Sequence, residues 1–528
     1  MNILIAEKLA DAGVELFKRQ PGWNTIVSSP KEYEKHLAEA EALVVRSAVQ
    51  VTKDTLAKCP KLRVIGRAGV GVDNVDLEAA TEAGVLVMNT PGGNAVSVAE
   101  HTLGLMLAMA RRIPQATIST KSGKWEKKSL LGSELRGKTL GVIGLGSIGR
   151  EVVRRARPFE MKIIAHDPYV TSQIARDLDL PLVSLSELFA QSDYITLHMS
   201  LTPETQNLLS KDAFDQMKTG VRIVNCARGE LIDDVALKAA IEAGKVAGAA
   251  LDAFAIEPPP AGFPLFELDP ILATPHIGGS TEEAQEIVGV RIAEQMVEYL
   301  KNGVAINAVN VPPISPEQYR AIGPYITLAE RLGKFAAFIA EGNPKTVRVI
   351  YSGRIAEANT TLIRNSALAG VLNRSSERRA NMVNAMQFSS DRGWSVAERH
   401  ENRGGARDSI AVELETDAGV ALVEGSLVLD RPRLIRVGEI FIEAPLGDRV
   451  IFMTNHDVPG VIGHVGNVLG KNKINIANFS LGRQEVAKAG EPLNAVSVVT
   501  TDQEVPEAVL AQLLENPAIT LAKTVEIS

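Results

Sequence analysis

Three side chains of complementary chemistry, Arg228, Glu257 and His276, each follow a short apolar segment in the middle of the chain. They stand in the segments NCARGE, LDAFAIEPP and TPHIGG. A guanidinium can hold a carboxylate through two hydrogen bonds, and an imidazole can take or give the proton of a hydroxyl group. A carboxylate bound to the other ring nitrogen fixes the imidazole tautomer. Together the three predict oxidation or reduction of a hydroxy acid, in which a hydride moves as the proton moves.

The chain has eight histidines, and His276 is the best placed of them for acid–base work. It follows the last strand of a predicted open α/β sheet, and such sheets bind ligands at the carboxyl ends of their strands. His198 also ends a predicted strand and could border a cofactor cleft. His101 stands in an apolar helical segment, AEHTLGLML, and is interpreted as a packed helix residue.

A glycine motif, GLGSIG at residues 144–149, lies between a predicted strand and a predicted helix. Gly144 permits the tight turn, Gly146 permits close approach of a pyrophosphate, and Gly149 permits close packing of helix and strand. The next strand ends at Asp167, about 20 residues further on, where an acid that binds the adenosine ribose is expected. Its carboxylate would repel a 2′-phosphate. The motif therefore predicts binding of NAD rather than NADP.

Composition excludes several classes of protein. The 528 residues carry a formal net charge of −7, which argues against a general nucleic-acid binder. Two cysteines cannot form a disulfide framework for a chain of this length, and no zinc-binding spacing occurs, so no metal site is expected. Charges interrupt every apolar run, which excludes a spanning helix and a signal peptide. We therefore expect a cytoplasmic protein without a membrane partner.

The order of predicted elements divides the chain into four units. Residues 1–97 with 287–312, and residues 98–286, alternate strands and helices as in doubly wound α/β sheets. Ser280 and Glu283 form a predicted capping box that starts a helix to about Asn302. The proline-rich segment Asn310–Pro316 is a predicted linker.

Two smaller α+β units are predicted after the linker. Residues 313–446 form an intervening unit, in which the arginine-rich stretch Asn373–Asp408 is either a solvated face or an anion-binding site. Residues 447–528 show the element order βαββαβ of ferredoxin-like domains.

The motifs resemble those of the D-2-hydroxyacid dehydrogenase family, in GLGSIG with HDP, NCARGE, LDAFAIEPP and TPHIGGST. The segments VVRSAVQVT, VIGRAGVGVDNVD and MNTPGGNAVSVAEHTLGLMLA resemble more narrowly the branch that acts on 3-phosphoglycerate. The length and the tail are similar to the long form of that branch, with an intervening domain and a C-terminal ACT domain. The resemblance implies a Rossmann-type NAD domain with a flavodoxin-like substrate domain. It also implies NAD-dependent oxidation of 3-phospho-D-glycerate to 3-phosphooxypyruvate, the first step of L-serine biosynthesis.

The resemblance also implies roles for individual residues. Arg228 would bind the substrate carboxylate, Glu257 would orient His276, and His276 would be the general acid/base. The implied cofactor contacts are Val70, Gly144, Gly146, Ser147, Ile148, Gly149, Asp167, Met199, Cys226, Arg228, Asp252, His276 and Gly279. The implied substrate contacts are Arg46, Ser47, Arg67 and Asn94.

The ACT resemblance implies regulation. Asn455, Asp457 and Asn475 would face L-serine bound between two chains of a homo-oligomer, a dimer or a tetramer. A ferredoxin-like module that serves only for assembly is the alternative. Two alternatives to the activity also stay open, namely a dehydrogenase for another D-2-hydroxy acid such as glycerate or 2-hydroxyglutarate, and a non-catalytic NAD-sensing protein.

Overall fold

The computed structural model describes residues 1–374, 380–401, 407–447, 449–486 and 492–527. These residues form four sheets, which follow one another along the chain. In this part of the chain, every helix is too short or too polar to cross a lipid bilayer.

The first sheet has five parallel strands in the order β2-β1-β3-β4-β5, the flavodoxin-like order. Its strands are β1 (Asn2–Ile5), β2 (Asn24–Val27), β3 (Ala42–Val45), β4 (Val64–Arg67) and β5 (Leu86–Met88). The helices between them are α1 (Asp11–Lys18), α2 (Lys53–Ala57) and α3 (Leu77–Glu82). Because helices cover both faces, a central strand such as β3 is apolar and buried along its whole length.

Two helices, α4 (Ala95–Ala110) and α5 (Ile113–Lys121), lead to the second sheet. Its parallel strands are β6 (Thr139–Ile143), β7 (Lys162–His166), β8 (Tyr194–Leu197), β9 (Val221–Asn225), β10 (Val246–Leu251) and β11 (Ile271–Ala273). Its helices are α6 (Ser147–Ala156), α7 (Ser172–Asp177), α8 (Leu185–Gln191), α9 (Lys211–Gln216) and α10 (Asp234–Glu242), and α11 (Glu282–Asn302) returns the chain to the first sheet.

The second sheet has the strand order β7-β6-β8-β9-β10-β11. A single bridge between Ala165 and Leu182 extends it beyond β7, with hydrogen bonds on both sides of Ala165. With that one-residue strand counted third, the order becomes 3-2-1-4-5-6 followed by a seventh strand, which is the Rossmann order. The predicted pair of doubly wound parallel sheets is thus confirmed.

One local prediction was wrong. Helix α11 is capped by Thr281, whose hydroxyl accepts the Ala284 N–H at 3.2 Å, and not by Ser280. The Ser280 N–H instead closes a turn on the Ile277 carbonyl. The predicted domain borders at 97/98 and 286/287 lie inside α4 and α11, the two helices that connect the sheets, and stay predictions.

The intervening region combines one layer of helices with one mixed sheet. Its helices are α12 (Pro316–Ile339), α13 (Thr361–Leu372) and α14 (Ala385–Asp391). The sheet order is β13-β12-β14-β15-β16-β17, with β12 (Pro344–Ser352), β13 (Ser395–Glu401), β14 (Ser409–Thr416), β15 (Val420–Val428), β16 (Arg431–Val437) and β17 (Ile440–Pro445). The predicted linker is anchored at its start, because the Asn310 side chain binds Val87 N–H and Val85 O at 2.9 Å each.

The C-terminal region has the predicted order βαββαβ. Its elements are β18 (Arg449–His456), α15 (Val461–Lys471), β19 (Ile476–Arg483), β20 (Asn494–Thr501), α16 (Glu507–Leu513) and β21 (Ile519–Glu526). The strands form an antiparallel sheet in the order β19-β20-β18-β21. The apolar sides of both helices pack on this sheet around Val465, Leu469 and Leu513.

Candidate active site

A cleft of about 650 Å³ lies between the carboxyl ends of the first and second sheets. It brings together all three predicted catalytic residues and all four predicted substrate contacts. The predicted residues that line it are Arg46, Ser47, Arg67, Asn94, Arg228, Glu257, His276 and Gly279. They follow strands of two parallel sheets that point into the same space, which is why distant segments converge.

His276 and Glu257 form a hydrogen-bonded pair. His276 Nδ1 lies 2.7 Å from Glu257 Oε2 and 2.9 Å from Oε1, and the Phe254 N–H donates to Oε1 at 3.0 Å. An ionised carboxylate only accepts hydrogen bonds, so Nδ1 carries the proton and donates it. Nε2 is then left with a lone pair that can accept a proton from a substrate. The imidazole is 48% exposed, as a group that meets a ligand in an open cleft must be.

Asp252 holds the backbone that follows the histidine. It is 1% exposed and accepts the N–H groups of Ile277 and Gly278 at 2.9 and 2.8 Å and the Thr274 hydroxyl at 2.6 Å. Burial opposes ionisation, but hydrogen bonds from His101, Thr274 and the two N–H groups outweigh it and lower the pKa of Asp252. The contact of Asp252 with the cofactor stays a prediction, whereas its hydrogen bonds to the two residues after His276 are observed in the structure.

His101 was assigned too small a role by sequence reasoning. Its Nε2 lies 3.2 Å from Thr274 Oγ1 and 3.3 Å from Asp252 Oδ1, so it belongs to the network that supports the histidine loop. The sequence signal was weak, because one polar residue in an apolar helix is usually explained by local packing.

Three guanidinium groups surround the cleft. Arg228 Nη2 lies 2.9 Å from Asp73 Oδ2, which places a residue of the second sheet against a loop of the first. Arg67 is half-buried, and its Nε has no hydrogen-bond partner among the described residues. Burial and the neighbouring charge of Arg228 lower the pKa of Arg67, while Asp73 and Glu7 act in the opposite direction. Such a concentration of positive charge suits an anionic ligand.

The glycine loop has the shape of a dinucleotide cradle. Gly144 has a φ of +94°, and a Cβ there would collide with the His198 carbonyl. A Cβ at Gly149 would collide with the Gly144 carbonyl, whereas one at Gly146 would meet nothing within 4 Å. The N-cap of helix α6 is Gly146, a residue without a side chain to cap it, so the amino end of the helix is open to an anion. These observations fit NAD.

Asp167 lies where the ribose acid was expected. Its Oδ2 accepts the Leu145 N–H of the glycine loop at 2.7 Å, and its Oδ1 accepts the Tyr169 N–H at 2.8 Å. The carboxylate therefore sits beside the cradle. The other predicted cofactor residues, Val70, Met199 and Cys226, come directly after strands β4, β8 and β9 or within three residues of them.

His198 stays a predicted border of the cofactor cleft, because its carbonyl lies against Gly144 of the glycine loop, but its imidazole is buried. Its Nε2 lies 2.9 Å from Thr196 Oγ1, and its Nδ1 has no partner among the described residues. Burial lowers the pKa of His198 to about 3. The residue is therefore a neutral core histidine at ordinary pH.

The arginine-rich stretch of the intervening region is only partly described. Arg378, Arg379 and Arg403 lie outside the described residues. Arg374 Nη1 donates to the Ala337 and Ala340 carbonyls at the end of α12. Structural contacts thus occupy this arginine, and an anion site in the stretch stays a prediction.

The predicted effector residues lie far apart within one chain. Asp457 follows β18, where its carboxylate lies 3.4 Å from Arg483, and the buried Asn455 contacts Ser497. Asn475 precedes β19 and donates to Asp502 at 2.6 Å. The register aligns His456 with Asn494 at one end of β20, and Ile476 with Thr501 at the other. Asp457 therefore lies opposite Leu493 and Asn475 opposite Asp502. At about 3.3 Å per residue, the two side chains are about 30 Å apart along the strands.

Family models match three parts of the chain. Residues 103–278 match the NAD binding domain of D-isomer specific 2-hydroxyacid dehydrogenases. Residues 321–438 match the D-3-phosphoglycerate dehydrogenase intervening domain, and residues 449–518 match the ACT domain.

Curated relatives match over the full length. The D-3-phosphoglycerate dehydrogenase of Methanocaldococcus jannaschii is 41% identical and covers 98% of each chain. That of Archaeoglobus fulgidus is 39% identical over 100% of both chains, and that of Bacillus subtilis is 35% identical over 100% of this chain and 99% of the relative.

Solved structures match the first part of the chain. An NAD-dependent formate dehydrogenase from Staphylococcus aureus in complex with NAD is 29% identical with a TM-score of 0.53, over 58% of this chain and 99% of the other. The apo-structure of D-lactate dehydrogenase from Escherichia coli is 30% identical with a TM-score of 0.52, over 58% of this chain and 100% of the other.

Proposed function

The chain belongs to the D-3-phosphoglycerate dehydrogenase family, and on that basis we propose that its cleft oxidises 3-phospho-D-glycerate to 3-phosphooxypyruvate with NAD. The family predicted from the motifs is confirmed, and with it an NAD-dependent oxidoreductase. The reaction would be the first step of L-serine biosynthesis. The observation that carries the proposal is a hydrogen-bonded histidine–carboxylate pair in a cleft with three arginines.

The arginines suit a substrate with an anion at each end. A phosphate monoester carries about two negative charges at neutral pH, and a carboxylate carries one. Arg228, which enters the cleft from the same sheet as the histidine, holds the carboxylate next to the reacting carbon. Arg46 and Arg67, which end strands of the first sheet, hold the phosphate. Two-ended binding orients the hydroxyl-bearing carbon toward the histidine.

His276 moves the proton. Its unprotonated Nε2 accepts the proton of the substrate hydroxyl as the C–H bond of the same carbon breaks and the carbonyl forms. The resulting imidazolium is stabilised by the Glu257 carboxylate at Nδ1. When bound, NAD supplies the acceptor for the hydride. Asp252 keeps the residues after His276 in place, so the imidazole does not have to be ordered during the reaction.

The second sheet holds the cofactor. The loop at residues 144–149 and the open amino end of α6 receive the pyrophosphate. Asp167 binds the adenosine ribose through its hydroxyl groups and repels a 2′-phosphate. Val70 is the proposed contact near the nicotinamide, and Met199 and Cys226 are further proposed cofactor contacts.

The C-terminal domain is the proposed regulatory site. L-serine would bind between two copies of the chain, contacting Asn455 and Asp457 of one copy and Asn475 of the other. A homo-oligomer, a dimer or a tetramer, is required for this site. The wide separation of Asp457 from Asn475 in one chain supports a composite site.

The proposed location is the cytoplasm. Cys59 and Cys226 are both free thiols. Burial raises the pKa of Cys59 to about 11 and that of Cys226 to about 12, which keeps both protonated. Unreactive, unpaired thiols suit a reducing compartment.

A panel of 2-hydroxy acids tests the activity. The purified full-length chain is mixed with NAD and 3-phospho-D-glycerate, D-glycerate or 2-hydroxyglutarate, and NADH absorbance is followed. We expect 3-phospho-D-glycerate to give the highest kcat/KM, with D-glycerate lower by roughly tenfold or more, because D-glycerate leaves Arg46 and Arg67 without an anionic partner. A higher kcat/KM for D-glycerate or 2-hydroxyglutarate would show that this acid, and not 3-phospho-D-glycerate, is the substrate. NAD binding without turnover of any of the acids would favour the alternative of a non-catalytic NAD-sensing protein.

A further inference from the structure

A buried carboxylate, that of Glu7, holds the segment that carries Arg46 and Ser47. Glu7 follows strand β1 and is 7% exposed. Its Oε1 accepts the Arg46 N–H at 2.8 Å and the Val49 N–H at 2.9 Å, and its Oε2 accepts the Ala48 N–H at 3.1 Å. One side chain thus binds three of the four N–H groups of residues 46–49.

The same segment is held from its carbonyl side. The Asn74 amide donates to the Arg46 carbonyl at 2.8 Å and to the Val49 carbonyl at 2.7 Å. The turn at residues 46–49 is therefore held from two sides: the Glu7 carboxylate accepts hydrogen bonds from its N–H groups, and the Asn74 amide donates hydrogen bonds to its carbonyl groups. Among the described residues, no hydrogen bond engages the N–H or the hydroxyl of Ser47, which lines the cleft.

Burying a carboxylate is costly unless its hydrogen bonds are satisfied, and here the backbone satisfies them. Three N–H groups that point at one acceptor would otherwise be a binding site for any small anion. Because Glu7 occupies them, the substrate anion is left to the side chains of Arg46 and Arg67 and to Ser47. The charge of Glu7 also favours the charged form of the half-buried Arg67.

We propose that Glu7 is a positioning residue for the phosphate end of the substrate. It shapes the turn at residues 46–49 so that Arg46 and Ser47 face the cleft, and Asn74 supports it. The inference rests on the proposed function, since it assigns the phosphate to the Arg46 side of the cleft. Glu7 follows a strand of the first sheet and, among its hydrogen bonds, contacts neither the glycine loop nor the His276–Glu257 pair, so we expect its effect at one end of the substrate.

The test is Glu7→Gln in the full-length chain, assayed with NAD. The glutamine keeps one oxygen for two N–H groups but turns an N–H donor toward another N–H, which displaces the turn. We expect KM for 3-phospho-D-glycerate to rise roughly tenfold, with kcat changed by less than about twofold. KM for NAD and kcat/KM for D-glycerate, which has no phosphate, should stay near wild type. Glu15→Gln, at an exposed position of α1 paired with Lys18, is the matched control.

A second variant, Asn74→Asp, replaces the two donors by acceptors and should act in the same direction. Folding of both variants is judged by Tm and NAD titration. If Glu7→Gln does not fold, the KM values of Asn74→Asp alone test the inference. An unchanged KM for 3-phospho-D-glycerate in a folded variant overturns the inference. An equal loss of kcat/KM for both acids also overturns it, because that loss indicates a general structural role. If the wild type itself fails to oxidise 3-phospho-D-glycerate while oxidising another acid, the proposed function fails first and the inference fails with it.

Discussion

The cleft and the ACT domain differ in how their candidate residues are brought together. In the cleft, residues up to about 230 positions apart in sequence line one cavity within a single chain. In the ACT domain, residues only 18 positions apart lie about 30 Å from each other along the strands. Proximity in sequence therefore indicates nothing about proximity in a site, whereas position relative to the strands does.

Strand direction explains the difference. In both parallel sheets of the cleft, every candidate residue follows a strand, so all lie at the same edge. In the ACT sheet, β18 and β19 both run opposite to β20 and hence in the same direction. Asp457 follows one and Asn475 precedes the other, which places them at opposite edges. The candidate residues of the cleft meet within one chain, whereas the proposed site with both ACT residues would need two copies.

The largest effect is expected from His276→Ala. Loss of the positioned acid–base group should lower kcat by roughly 10²–10⁴-fold. NAD affinity should change little, because the glycine loop that receives the pyrophosphate is separate. Steady-state assays and NAD titration measure both quantities, with His36→Ala as a control outside the cleft. Near-normal turnover would contradict the assignment of the histidine.

Glu257→Gln should give the next largest loss. The amide can still accept a hydrogen bond from Nδ1, but it no longer stabilises the imidazolium by charge. We expect kcat to fall roughly 10–10²-fold with NAD binding unaffected. The exposed Glu267→Gln is the matched control. Wild-type kcat in Glu257→Gln would mean that the hydrogen bond orients the ring without electrostatic assistance.

Asp167→Ala should change cofactor choice rather than turnover. It removes both a ribose hydrogen-bond acceptor and the repulsion of a 2′-phosphate. The preference for NAD over NADP, measured as the ratio of kcat/KM values, should fall by roughly tenfold or more. The substitution also removes the hydrogen bond from Leu145, so Tm is compared as a control. Unchanged selectivity would place the ribose elsewhere.

The smallest and most informative effect concerns the ACT domain. Asp457→Ala and Asn475→Ala should each weaken L-serine inhibition severalfold without changing kcat. Mixed oligomers of the two variants should recover part of the inhibition, because a pair of such chains retains one site with both side chains intact. Serine titration of the single variants, the mixture and a chain ending at residue 312 distinguishes the cases.

Two outcomes would contradict the composite site. A mixture as insensitive as the single variants would argue against residues shared between chains. A truncated chain that stays serine-sensitive would place the inhibitor outside the ACT domain. If the wild type itself does not respond to L-serine, the ACT domain serves for assembly. The cleft and the ACT domain then differ as a catalytic and a structural module.

Sequence reasoning succeeded where a motif and a strand end coincide. The convergence of Arg228, Glu257 and His276 on one cleft, and the place of Asp167 beside the glycine loop, could be predicted because these positions follow from local pattern and from the edge at which parallel strands end. The order βαββαβ was readable because each element is short, periodic and separated from the next by turn residues.

What the sequence by itself determined is the alternation of strands and helices in the two parallel sheets, the βαββαβ order of the C-terminal region and the family. Only the tertiary structure decided which polar residues are buried and what they hold. Glu7 looked like a charge after a strand, but three N–H groups from a turn 39 to 42 residues away converge on it. His198 directly follows strand β8, and His276 comes three residues after strand β11. Packing nevertheless buries His198, whereas His276 is exposed in the cleft. Burial and long-range hydrogen bonding depend on how separate elements pack, and no local pattern encodes that.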